Sequence, residues 1–193
     1  MKPMVEAIIK ASIGVLNEKG IYRFSMREIA KKLNIRASAL YNHVKGRKEI
    51  YSLLTEYICD ELKFSPVKIR NAKLFLTESN KQLRLELLKI RDSAVIFGET
   101  VPDTPKHLEF IKKTMEALLQ LGLKGEYCFF AANTLINYVL LFVMDEEYFK
   151  SIPRKKPQSP GTEFYRQQIA GTNYDRQFLY GLEVIIAGLQ KNR

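Results

Sequence analysis

Cysteine and histidine are scarce in this chain. Its two cysteines, Cys59 and Cys128, lie 69 positions apart, which excludes a disulfide scaffold and a Cys-rich zinc module. Its two histidines, His43 and His107, are also far apart, which argues against a His-based zinc site. No metal and no cofactor is expected. There is no Gly-rich phosphate loop and no nucleophile–base–orienter set, so an enzyme is not expected either. No run alternates with period two for long enough to make a strand, so the fold class is all-α. At the start of the chain, Glu6 and Lys10 interrupt any apolar signal-peptide core. The expected compartment is the cytoplasm.

Acidic residues are short too. Thirty-one Lys and Arg stand against 21 Asp and Glu, a formal charge of +10 over 193 residues. The excess is concentrated. Between Lys19 and Lys48 stand Arg23, Arg27, Lys31, Lys32, Arg36, Lys45 and Arg47, with Glu28 as the one acid, so +8 sits in this segment. Such a concentration favours a polyanion-binding surface over a merely solvated face. Hydrophobic residues at 46% and charged residues at 27% are ordinary for a soluble globular protein. The length fits a small domain joined to a larger one, divided here as 1–46 and 47–193.

Helical periodicity organises the chain. A stripe through Val5, Ile8, Ile9, Ile13 and Leu16 predicts a first helix, stopped by Gly20. Ser25 and Glu28 read as a capping box opening a second helix with Ile29, Ala30 and Leu33 inward. After a short turn, a third helix carries Ala37 to His43, and a fourth runs from about Arg47 to Leu62. Pro66 breaks the pattern. Helix is then expected over about Leu74 to Phe97, Lys106 to Leu121, Glu126 to Phe149 and Asp175 to Lys191, with loops at Gly98 to Pro105 and Ser151 to Thr162. Eight to ten helices result.

One stretch, Tyr127 to Met144, is 18 residues without a charge, near the length of a membrane span. Asn133, Thr134 and Asn137 interrupt it, and the flanking Lys/Arg asymmetry is weak. A helix buried on all sides, against the protein and a second copy, is the preferred reading, with no membrane partner; a membrane-associated helical protein using 127–144 is the alternative.

The two short helices from Ser25 to Val44 match a helix-turn-helix, whose second helix enters the DNA major groove by its N-terminal part. Leu40 and Val44 can pack on Ile29 and Leu33, which leaves the other residues of that helix outward. The Ala39 methyl can touch a thymine methyl, Asn42 can pair with adenine, and Ser38 can bond base or phosphate. Lys45, Arg47, Lys48, Arg27 and Tyr41 can bond phosphates.

These residues resemble the tetracycline-repressor family. The likeness lies in Ser25-Met26-Arg27-Glu28-Ile29-Ala30, in Leu33 and in Ala39-Leu40-Tyr41-Asn42-His43-Val44-Lys45-Gly46-Arg47, and again in Arg91-Asp92, Gly122 and Phe178 to Leu189. The resemblance implies a homodimeric transcriptional regulator, usually a repressor. Its two heads would bind half-sites of a double-stranded, palindromic operator, and a small-molecule effector would release it. It carries DNA contacts to Arg27, Ser38, Ala39, Tyr41, Asn42, His43, Lys45 and Arg47. In the tetracycline repressors a histidine holds the drug's magnesium ion; here Phe97 stands there, and Ser79 lies near the position of a drug-binding asparagine. Thr100 and Asp145 align with pocket positions, but one hydroxyl and one carboxylate are too few to fix magnesium. A magnesium–tetracycline complex is therefore not the expected effector.

The expected effector site has apolar walls from Leu83, Phe97 and Phe130, helped by Phe110 and Leu141. Its polar contacts come from Thr100, Thr114, Asn133, Asn137 and Asp145. Asn133 and Asn137, one turn apart in an apolar helix, would need partners if buried. Dimerisation is expected through the Glu126–Phe149 helix and the last helix, with Leu182, Ile185, Ile186 and Leu189 at the interface and Gly181 and Gly188 allowing close approach.

Overall fold

The computed structural model describes residues 3–63, 71–151, 160–169, 171 and 173–191. Among them are ten α-helices, a single 3-10 turn and no strand. The first is α1 (Pro3–Lys19), ended by Gly20 at φ 71° and followed by the 3-10 turn Ile21–Arg23. Then come α2 (Met26–Lys32), α3 (Ala37–Tyr41) and α4 (Arg47–Asp60). The rest is α5 (Ala72–Leu87), α6 (Ser93–Gly98), α7 (Pro105–Gln120), α8 (Gly125–Ser151), α9 (Pro160–Ile169) and α10 (Tyr174–Lys191).

Two expectations about elements are corrected. The single helix expected from Leu74 to Phe97 is two, α5 and α6, because Asp92 adopts a left-handed conformation at φ 60°. Asp tolerates that region better than most side chains, so the chain turns there without Gly or Pro. Of the loop expected from Ser151 to Thr162, Pro160 and the residues after it open α9. Residues 152–159 and Pro66 lie outside the described residues.

α1 to α3 form a small tip that packs on the start of α4. Ile8, Leu16, Ile29, Leu40 and Ile50 are fully buried there. Enclosing each such side chain contributes about 1.5–3 kcal/mol. α4 continues into the body, where it packs on α5, α6 and α7, and α8 lies across α5, α6, α7 and α10. In α8 only one side faces inward: Cys128, Ala132, Leu135, Val139 and Val143 are buried, while Tyr127, Phe129, Phe130, Leu141 and Tyr148 are exposed. This is the one described helix long and apolar enough to cross a membrane, yet 44% of its apolar window is buried in the protein.

A buried ion pair ties three helices together. Arg84 of α5 donates through Nε (2.9 Å) and Nη2 (2.7 Å) to Glu146 of α8, and through Nη1 to Asp175 of α10 at 2.6 Å. Its guanidinium lies 5.4 Å from the Phe142 ring centroid and 5.2 Å from that of Phe178. The neighbouring guanidinium holds the Asp175 carboxyl below its usual range. Beside this pair, Tyr138 stacks on Phe178 and its hydroxyl donates to the Phe178 carbonyl at 2.9 Å. The phenol rests against Gly181, where any Cβ would collide with it. The close approach expected of Gly181 is thus made to α8 of the same protomer.

Candidate nucleic-acid interface

The tip turns most of its polar residues outward, Ser12 of α1 being enclosed. Ser25 caps α2, its Oγ accepting from the Glu28 N–H at 3.3 Å. The capping box closes on that side only, because the Glu28 carboxylate is paired with Lys19, which keeps it below the usual carboxylate range. Asn34, at φ 55°, makes the turn between α2 and α3, and Ile35 N–H bonds back to the Ala30 carbonyl at 3.0 Å. Leu40 at 0% and Val44 at 2% exposure then pin α3 onto Ile29 and Phe24.

With Leu40 and Val44 inside, the rest of this stretch faces out. Arg27, Ser38, Tyr41, Asn42, His43, Lys45, Arg47 and Lys48 are exposed and Ala39 is half-buried. They form one continuous face around α3 and the start of α4. Arg47 is held in place: its Nε donates to the Tyr51 hydroxyl at 2.5 Å, and its guanidinium lies 5.0 Å from the Tyr51 ring and 5.9 Å from Phe24. Burial pushes the Tyr51 phenol up, so it stays protonated. Lys45 N–H donates to Glu49 at 2.6 Å, which orders the entry to α4. The face is therefore cationic and pre-ordered, suited to phosphates along a groove edge.

The tip is also tied to the body. Asp92 accepts from the Ile21 N–H at 2.8 Å, and Arg91 N–H donates to Asn17 at 2.9 Å. The Asp92 N–H in turn bonds to the carboxylate of Glu147 on α8, whose pKa is raised by burial and by the Asp92 charge. An open groove of about 1230 Å³ runs beside this joint, lined by Tyr22, Arg47, Arg91, Asp92, Glu147 and Tyr148 among others.

The residues expected to line an effector site divide between the interior and the surface of the protomer. Leu83, Phe97 and Thr114 are inside the body and Thr100 is half-buried. Thr100 and Thr114 spend their hydroxyls on the carbonyls of Ile96 (2.7 Å) and Phe110 (2.9 Å). Phe130, at 67% exposure, Asn137 and Asp145 lie on the outer face of α8, and Asn133 is half-buried. The two asparagines are thus not a buried pair: α8 is covered on one side only, and they lie towards the other. The expected interface also shifts. Leu182 and Ile186 are fully buried in the protomer core, while Ile185 and Leu189 are half-buried and Tyr180 and Val184 are exposed.

Sequence reasoning passed over several of the buried polar residues, among them Thr55, Asn80, Arg84, His107 and Glu146. Arg84 carried a signal, a charge set directly after Leu83 on the apolar stripe of α5. His107 is pushed down to about 4 by burial, against a smaller opposing influence of Asp103 and Glu56, so it is neutral at pH 7. Among the described residues no three His, Cys, Asp or Glu side chains are grouped so as to hold a metal ion. Phe97 packs on His107 with ring centroids 4.7 Å apart. The magnesium site of a drug–metal complex therefore does not fit these residues.

Residues 8–53 match the family profile described as bacterial regulatory proteins, tetR family, and residues 71–193 match the tetracyclin repressor-like C-terminal domain. The chain is 25% identical to the tetracycline repressor protein class D of Escherichia coli, over 96% of this chain and 88% of that one. It is similar to the TetR family protein ActR of Streptomyces coelicolor in complex with (S)-DNPA, at 27% identity and a TM-score of 0.74 over 97% of both chains. It shares its fold with BioQ bound to a double-stranded DNA operator, at 23% identity and a TM-score of 0.73 over 97% of this chain and 98% of that one.

Proposed function

Because the chain belongs to the tetracycline-repressor family of bacterial regulatory proteins, it is a ligand-responsive, DNA-binding transcriptional repressor that acts as a homodimer, and we propose how its parts divide that work. Residues 1–46 hold one operator half-site, with Arg27, Ser38, Ala39, Tyr41, Asn42, His43, Lys45, Arg47 and Lys48 as the contacting residues. Residues 47–193 bind the effector and the second protomer. The operator is palindromic, its half-sites about one helical turn (~34 Å) apart, as two symmetric tips require. The protein works in the cytoplasm. The solved ActR and BioQ structures, one with a small molecule and the other with its operator, support the pairing of these two activities.

The observation that carries the DNA assignment is the continuous exposed face around α3, rooted in the buried Leu40 and Val44. The dimer face is the outer side of α8 and α10: Phe130, Leu141, Tyr180 and Val184, with Ile185 and Leu189 at its edge. Together these residues form an apolar surface of the kind that a four-helix interface covers. α4 links the two activities, since it begins at Arg47 and packs against α5, α6 and α7. An effector shifts the balance by its differential affinity for the two states, typically 1–3 kcal/mol.

Selection of bound duplexes from random sequence, followed by anisotropy titration of the selected site, tests the reading. An inverted repeat with nanomolar-range affinity that weakens with salt is expected. A monomer that ignores every duplex at low salt would overturn it.

A further inference from the structure

The interior of the body holds polar atoms with nothing to bond. Oγ1 of Thr55 on α4, Oδ1 of Asn80 on α5 and Nδ1 of His107 on α7 are buried without a hydrogen-bond partner among the described residues, in side chains 0%, 0% and 2% exposed. Native proteins pair the great majority of such atoms, so these three need a reason, beside the two other orphans among the described residues, Ser12 Oγ on α1 and Thr104 Oγ1 before α7. These three lie on helices that all pack on one another, in a body whose buried residues include Leu76, Leu83, Phe97 and Phe110. Phe97 and His107 set two flat rings side by side, 4.7 Å apart at 58°. His107 is uncharged at neutral pH, and an uncharged imidazole offers one donor and one acceptor. The amide oxygen of Asn80 only accepts.

We propose that Thr55, Asn80 and His107 are the effector's own hydrogen-bonding groups, and that they take an uncharged, ring-bearing molecule with hydroxyl or N–H donors, bound without a metal ion. The proposal rests on the body being the effector-binding part. The ring lies against Phe97 and His107, a donor reaches Oδ1 of Asn80, and the imidazole and the Thr55 hydroxyl take the remaining polar atoms. A carboxylate or a metal chelate is rejected, because these groups offer no cation and no set of ligands.

The site has a route to the DNA face. Thr104, at the N-cap of α7, makes no capping bond with its side chain. Glu56 of α4 does that work instead, its Oε2 accepting from the N–H groups of Lys106 (2.8 Å) and His107 (3.3 Å). A molecule bonded to the His107 ring thus acts on a residue whose backbone is already fastened to α4, the helix that starts at Arg47.

The test uses the full-length dimer with 2-naphthol as probe and 2-methoxynaphthalene, 2-naphthoate and magnesium–tetracycline as comparisons. At millimolar concentration 2-naphthol is expected to raise Tm by several degrees, and the other three to leave it unchanged. Asn80→Leu and His107→Phe are expected to be as stable as the parent or more so without probe, and to lose the naphthol shift. Nitrogen NMR of the parent provides a readout that needs no variant: with only two histidines, the His107 ring signals are separable from those of exposed His43 and should move with 2-naphthol alone. Equal shifts with 2-methoxynaphthalene, no shift with 2-naphthol, tighter binding of magnesium–tetracycline, or variants several degrees less stable without probe would each overturn the proposal. Operator affinity without probe is measured on the same samples. Its loss would strike the regulator reading, whereas normal operator binding with no probe response strikes this inference alone.

Discussion

The tip and the body treat polar groups in opposite ways. Around α3, hydroxyls, amides and cations stand outward on a thin apolar base of Ile29, Leu40 and Val44, with Ser12 of α1 as the enclosed polar exception. In the body, Arg84 and Glu146 are enclosed and paired, while Asn80 and His107 are enclosed and have unbonded atoms. A surface that meets a highly charged polymer can leave its polar groups in water until the partner arrives. A site that must recognise a small molecule has to exclude water beforehand, and it carries the cost of unmet hydrogen bonds in the meantime.

The contrast can be broken at its strongest point first. Glu146→Ala strands the Arg84 guanidinium inside the body with only Asp175 beside it, and removing one partner of a buried pair costs roughly 3–5 kcal/mol. Thermal unfolding should move down by on the order of 10 °C, with far less effect from an equivalent deletion at Glu28, where the pair with Lys19 is half-exposed. An unchanged Tm would mean that the pair holds nothing together.

Second in size is a pH effect confined to the body. His107 titrates at about 4 in the folded protein, against an ordinary value of 6.5. The unfolded chain therefore takes up a proton below pH 6.5 that the folded chain refuses until about pH 4, and stability falls as pH drops through that window. The full difference is about 3 kcal/mol. Urea unfolding at pH 7 and pH 5 should show a loss in the parent that shrinks in His107→Phe; parallel losses in both would place the titration elsewhere.

On the tip the expected effects are on binding. Tyr41→Ala and Arg47→Ala should each weaken operator affinity by tenfold or more while far-ultraviolet dichroism is unchanged. Each lost phosphate contact should also flatten the salt slope by about 0.9. A variant with weaker affinity but the parent's salt slope would assign that residue to base contact. The smallest effect is Ser25→Ala, which removes the α2 cap for about 1 kcal/mol, visible as a Tm drop of a few degrees.

The same contrast explains what could be read from the sequence. The residues of the DNA face fall within a few turns of chain, so neighbours in sequence are neighbours in space, and Leu40 and Val44 reveal which side is inward. The effector site draws on α4, α5 and α7, and no spacing rule links Thr55 to Asn80 or His107. The apolar length of α8 does not show which side meets the protein: Cys128, Ala132, Leu135 and Val139 do, whereas Phe130, Leu141 and Asn137 lie on the exposed side. On α10 the i, i+4 row of Phe178, Leu182 and Ile186 faces the protomer core, whereas Tyr180 and Val184 face away. Asp92 hid the break between α5 and α6 because neither Gly nor Pro marks it.

The seat of Tyr138 on Gly181 makes positions 138 and 181 mutually restrictive. The phenol is held by its ring stack and at its tip by the Phe178 carbonyl, so swinging aside for an incoming methyl group breaks that hydrogen bond and disturbs the stack. In a saturation library, position 181 alone should return almost nothing but the parent residue. Randomising both together should recover larger residues at 181 wherever 138 has shrunk, a signature of two sites that can change only in step.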